Sequence, residues 1–193
     1  MTYVIYISIY LGIIALFLPG LEKKGLIKTV PVKEIGMIIA AAAITTGLIN
    51  VAINVANKMQ ITSATVYNKQ IAESFDVQTP IGITILVTAV LTPIIEEFLF
   101  RFAAIGLIEK FTRNVPQQTA FCIITASVIF GAFHSVQIQK LYGMVCGLIL
   151  GLLYCYEVTL SRDGIKLKEN RNIVRPIIFH ITVNTIGCIT YFM

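Results

Sequence analysis

The sequence predicts an all-α fold, a polytopic membrane helical bundle of about six transmembrane helices with one proline-kinked helix carrying its charged motif. Three observations lead there. Hydrophobic residues make up 56% of the 193 residues and charged residues 13%, and the mean hydropathy is +0.83. Those values lie outside the usual range of a soluble domain. Apolar runs of roughly 20 residues, the length that crosses a hydrocarbon core, recur along the whole chain and leave only short loops. The cations gather in alternate loops, as they do in membrane proteins with a defined orientation. Residues 1–193 therefore read as a single integral membrane domain. The net charge of +5 is assigned to loops facing the cytoplasm, so the expected partner is the lipid bilayer, with no nucleic acid.

In chain order, the first span covers about residues 3–19 and ends at Pro19-Gly20. Its flank, Met1-Thr2-Tyr3-Val4, lacks a positive n-region and no small-residue cleavage site follows, so it reads as a retained span. A basic loop, 21–35, precedes a small-residue-rich second span at about 36–56. Residues 57–79 alternate apolar and hydrophilic positions and fit an interfacial helix or an ordinary loop. Residues 80–108 are too long for one simple span, and Pro93 marks the expected kink or break. The fourth span is expected at 118–138 and the fifth at 141–160. Gly143, Gly147 and Gly151 form a small-xxx-small stripe on the fifth, for packing within one chain or between chains. A second basic loop, 161–174, leads to the last span, 175–193.

Loops one, three and five, counted with Arg175 at the start of the last span and without the charged motif, hold eleven Lys and Arg residues; loops two and four hold three, namely Lys58, Lys69 and Lys140. With six spans this puts the first set in the cytoplasm and both termini outside. The cysteines (Cys122, Cys146, Cys155 and Cys188) all lie in apolar stretches without a CxxC pair, which suits packing.

The chemistry concentrates in Pro93-Ile94-Ile95-Glu96-Glu97-Phe98-Leu99-Phe100-Arg101. Each ionisable group near a bilayer centre costs roughly 2.5–3.5 kcal/mol on insertion scales, so three together mark a functional site. Glu97 and Arg101 are one helical turn apart and can pair, while Glu96 points about 100° away. Phe130 and His134 share a face of the fourth span, and His180 and Asn184 share one of the last. The two histidines are the only ones in the chain.

This set suits amide hydrolysis. A carboxylate in an apolar site can act as general base toward water. Histidines can polarise that water, hold a metal or donate to an oxyanion, and an Asn amide suits the oxyanion role. Glu96, His134 and His180 also form a recognised set of zinc ligands with an open position for water. Metal-bound and Glu-activated water both stay open; no HExxH is present.

Glu96-Glu97-x-x-x-Arg101, Phe130-x-x-x-His134 and His180-x-x-x-Asn184, in that order and in separate spans, resemble the three motifs of the CPBP family. That family covers CAAX prenyl endopeptidases and bacteriocin-processing or bacteriocin-immunity proteins, and is also called the Abi family. The resemblance covers about residues 80–193 and implies an intramembrane endopeptidase acting on a peptide or protein substrate at the membrane. It implies that Glu96 and His134 activate water, that His180 and Asn184 stabilise the oxyanion, and that Glu97 and Arg101 support the site. Family members are often labelled metallopeptidases, which makes Zn2+ or another divalent ion a candidate cofactor. It also implies roles such as bacteriocin self-immunity or peptide maturation, in what the basic loops suggest is a bacterial plasma membrane.

Two other classes compete. A non-catalytic immunity protein that binds a toxin or its receptor keeps the fold without the chemistry. A proton-coupled transporter explains buried Glu and His but lacks an inverted repeat. Simple counting along equal helices sets His134 and His180 on opposite sides of the midplane, roughly 10 Å apart. A single site needs that separation removed.

Overall fold

The computed structural model describes residues 2–58, 80–134, 137–161 and 164–192. These form six helices and one hairpin: α1 (Thr2–Lys23), α2 (Val32–Lys58), α3 (Ile81–Phe111), α4 (Gln118–Ala132), α5 (Gln137–Cys155), β1 (Tyr156–Ser161), β2 (Gly164–Glu169) and α6 (Val174–Phe192). The chain is an all-α membrane bundle with one small β insertion. Among the described residues, three segments are long and apolar enough to cross a membrane: Val32–Val55, Ile81–Phe111 and Ile138–Cys155. The expected interfacial segment at 57–79 lies outside the described residues, except for its first two, which end α2.

Helix α1 runs past Pro19 instead of ending there. Its last turn is held by packing: Leu21 is fully buried and Gly20 lies against the Phe102 ring. The helix then stops at Gly25, whose φ of 60° suits a residue without Cβ. Gly25 N–H donates to Glu22 O and Leu26 N–H to Leu21 O, while Leu26 joins Leu21 in the core. That is the Schellman ending, with its customary apolar contact.

Helix α3 is the axis of the bundle, touching α1, α4, α5 and α6, while α2 packs on α6. At 31 residues it is about 46 Å long. Of the kink or break expected at Pro93, a break does not occur: the helix continues through it. Two stretches, Leu86–Leu91 and Phe98–Ala104, wind more widely, as π-helix, on either side of Thr92–Glu97. The wider turn absorbs the clash a proline ring makes with the preceding turn, so the helix continues.

The expected fifth span to residue 160 is also corrected. Helix α5 ends at Cys155, and the chain enters an antiparallel hairpin pairing Tyr156 with Glu169 through Ser161 with Gly164. Tyr-Glu-Val-Thr-Leu and Ile-Lys-Leu-Lys-Glu alternate with period two, which suits strands. The fourth span also stops earlier than 138, at Ala132.

Polar contacts sew the hairpin exit to the rest. The fully buried Asn172 accepts from Lys28 N–H at 3.3 Å and Val174 N–H at 3.0 Å, and donates to Lys28 O at 3.1 Å. Arg175 Nε donates to Glu34 Oε1 at 2.6 Å in a buried pair. Arg171 forks onto Glu109 at the end of α3. That bonded carboxylate raises the Arg171 guanidinium further above its ordinary value.

The glycine stripe packs within the chain. A Cβ on Gly147 would meet Ser127 Cα at 3.0 Å, and one on Gly143 would meet the His134 ring at 3.1 Å and Gly131 Cα at 3.2 Å. Helices α4 and α5 thus approach backbone to backbone. The four cysteines are free and buried.

Candidate active site

Glu96, Glu97 and Arg101 come from α3, His134 from the turn just after α4, and His180 and Asn184 from one face of α6. Glu96, His134, His180 and Asn184 line one cavity of about 150 Å³. The remaining wall is apolar: Leu150 of α5, with Phe179 and Val183 of α6, beside Tyr142 and Cys146.

His180 is the hub. Its Nδ1 lies 2.8 Å from Glu97 Oε1 and its Nε2 lies 3.4 Å from Glu96 Oε2. An ionised carboxylate only accepts, so Nδ1 carries the hydrogen toward Glu97, and Nε2 faces Glu96 and the cavity. Glu97 and Arg101 are both fully buried, with Arg101 Nε 3.1 Å from Glu97 Oε2. The approach is off the N–H line, and within the described residues Arg101 Nη1 and Nη2 have no hydrogen-bond partner. The pair is therefore held by charge. The Arg101 guanidinium also lies over the Phe130 ring, 5.2 Å from its centroid.

Phe130 organises the other side. Its ring meets His134 edge-to-face at 5.2 Å and His180 at 5.8 Å. His134 Nδ1–H donates to Phe130 O at 3.1 Å, which leaves Nε2 as the nitrogen free to act in the cavity. Both histidines line the same cavity, so the offset expected from equal straight helices does not keep them from one site. Helix α4 has only 15 residues and ends at Ala132, two residues before His134.

Asn184 Nδ2 donates to Thr88 O at 3.0 Å, across to the π-wound turn of α3. The sequence reading had no signal for Thr88, since the group it offers is a backbone carbonyl. It also missed the wall formed by Tyr142, Cys146 and Leu150. Their four-residue step runs directly beside the glycine stripe, and this was the available sign that one face of α5 packs while the next lines a space.

Among the described residues, no three His, Cys, Asp or Glu side chains converge as ligands of one ion. The nitrogens of His180 are directed at two carboxylates instead of toward His134. Glu96, His134 and His180 line the cavity together without forming a three-ligand ion site as they stand.

Residues 78–186 match the family model for type II CAAX prenyl endopeptidase, Rce1-like. The chain belongs to that family. By family it is a membrane-embedded protease of the CAAX type, and the matched segment carries all seven motif residues. No curated protein and no solved structure matches the chain.

Proposed function

We propose that this Rce1-like chain hydrolyses a peptide bond in a membrane-proximal peptide or protein, using water activated by Glu96. One observation carries the reading: Glu96, His134, His180 and Asn184 face a single small cavity inside a membrane bundle. Glu96 takes a proton from water as His134 Nε2 polarises it, and the resulting hydroxide attacks the carbonyl carbon. The oxyanion that forms is met by the Asn184 amide and by Nε2–H of the His180 imidazolium, the doubly protonated ring whose two nitrogens face the two carboxylates. Glu97 accepts from His180 Nδ1–H and so holds the ring with Nε2 toward the reacting atoms, while Arg101 balances the Glu97 charge. The proton on Glu96 then passes to the leaving amine. In a bacterial plasma membrane, with the basic loops inward, such chemistry serves bacteriocin self-immunity or maturation of an exported peptide.

The test compares peptide termini in membrane fractions of cells expressing wild type or Glu96→Gln at matched levels. Termini produced only by wild type are expected, and they name the substrate. Identical termini, with any protective phenotype kept by both proteins, would replace the protease reading with a toxin-binding one.

A further inference from the structure

We infer that Pro93 is a positioning residue for Asn184, acting by the amide hydrogen it lacks; the inference rests on the oxyanion role given to Asn184 above. In a regular helix the Thr88 carbonyl would take the amide of Thr92, and in a π-wound one that of residue 93. Thr92 N–H is committed to Val87 O, and proline has no N–H to give. Thr88 O is thus left without a helical donor, inside a segment apolar enough to span a membrane. A backbone carbonyl there needs a donor from within the protein.

Asn184 supplies the missing donor, its Nδ2 reaching Thr88 O at 3.0 Å from α6. The carbonyl only accepts, so it selects the amide face of Asn184 and excludes the flipped side chain. One Nδ2 hydrogen is spent on Thr88, and the side chain that keeps the other lines the cavity with Glu96 and His180. The Thr88 hydroxyl is occupied as well, donating to Thr84 O at 2.7 Å and lying 3.6 Å from Cys188 Sγ, one turn beyond Asn184. The seam between α3 and α6 is therefore aligned at the level of the site. A residue at 93 with an amide can close the π-wound turn onto Thr88 O, and Asn184 then competes for its anchor.

The decisive comparison uses the full chain in lipid nanodiscs with 15N-labelled asparagine, the Asn184 side-chain signals being identified by their loss in Asn184→Ala. In wild type, one Asn184 amide proton should be shifted downfield and exchange slowly. In Pro93→Ala that signature should be lost, and it should return when residue 93 is lactic acid, an alanine analogue whose ester link also lacks N–H. An unchanged Asn184 signature in Pro93→Ala, or no recovery with the ester, would overturn the inference; the ester arm separates the missing amide from any packing defect.

Turnover of the peptide found in the terminus comparison gives the second readout. Pro93→Ala should lower kcat by about 10- to 100-fold with KM within about twofold, and should add no further loss to Asn184→Ala. Independent, multiplying losses would also overturn it. Full activity of Asn184→Ala would remove the oxyanion role alone, leaving the spectra to decide whether Pro93 positions the side chain.

Discussion

Replacing Glu97 by Gln removes the charge facing Arg101 while keeping nearly the same volume, and the cost can be worked from the geometry. Opposite charges 3.1 Å apart attract by about 5 kcal/mol at an effective dielectric constant near 20. What remains for the guanidinium is the Phe130 face at 5.2 Å, worth about 0.5–2 kcal/mol. Breaking one side of a buried pair generally costs about 3–5 kcal/mol, and that loss is expected here. The neutral amide also cannot satisfy both neighbours. If its oxygen accepts from His180 Nδ1–H, its NH2 confronts the Arg101 donors; if it flips, it presents donors to His180. The chain has no tryptophan, so far-UV circular dichroism during unfolding from mixed micelles is the suitable probe. Glu97→Leu combined with Arg101→Met removes both charges and should recover most of the stability lost in Glu97→Gln while staying inactive. Stability of Glu97→Gln within about 1 kcal/mol of wild type would refute the reasoning. So would a double variant as unstable as the single.

Gly143→Ala should separate site geometry from folding. The new methyl meets the His134 ring at 3.1 Å and the Gly131 backbone at 3.2 Å, so the ring must give way; about a 10- to 100-fold loss of kcat is expected, with a stability loss of about 1–3 kcal/mol. Wild-type turnover would show that His134 need not sit where it does. Gly131→Ala should fail more severely, because its methyl would lie 2.6 Å from the Lys140 carbonyl; normal yield of folded protein would contradict the backbone-close packing of α4 on α5. Arg175→Ala should cost about 3–5 kcal/mol by leaving Glu34 buried without its partner, while turnover per folded molecule stays near wild type. Lost turnover at normal stability would place Arg175 in the chemistry instead of the frame.

Several features are legible before any folding because they depend only on local period and composition. The membrane class follows from apolar runs matched to bilayer thickness. Glu97 and Arg101 share a face because they are four residues apart, as do His180 and Asn184, and the same step displays the glycine stripe. The hairpin was hidden because hydropathy averaged over a span blurs a period-two alternation of five or six residues. Pro93 announced a kink or break in its helix; the missing amide is visible in the sequence, but the wider π-wound turns that let the helix continue through it are not.

Tertiary structure alone decided how those faces meet. Which ring nitrogen of His180 faces which carboxylate is set between residues 83 positions apart, and the anchor of Asn184 is a carbonyl 96 positions away. The depth of His134 is set by where α4 stops against α5, through contacts at Gly131 and Gly143. Sequence periodicity determines which side chains share one helix face. The meeting of three faces around a cavity depends on helix lengths, winding and backbone approach, which are properties of the packed bundle.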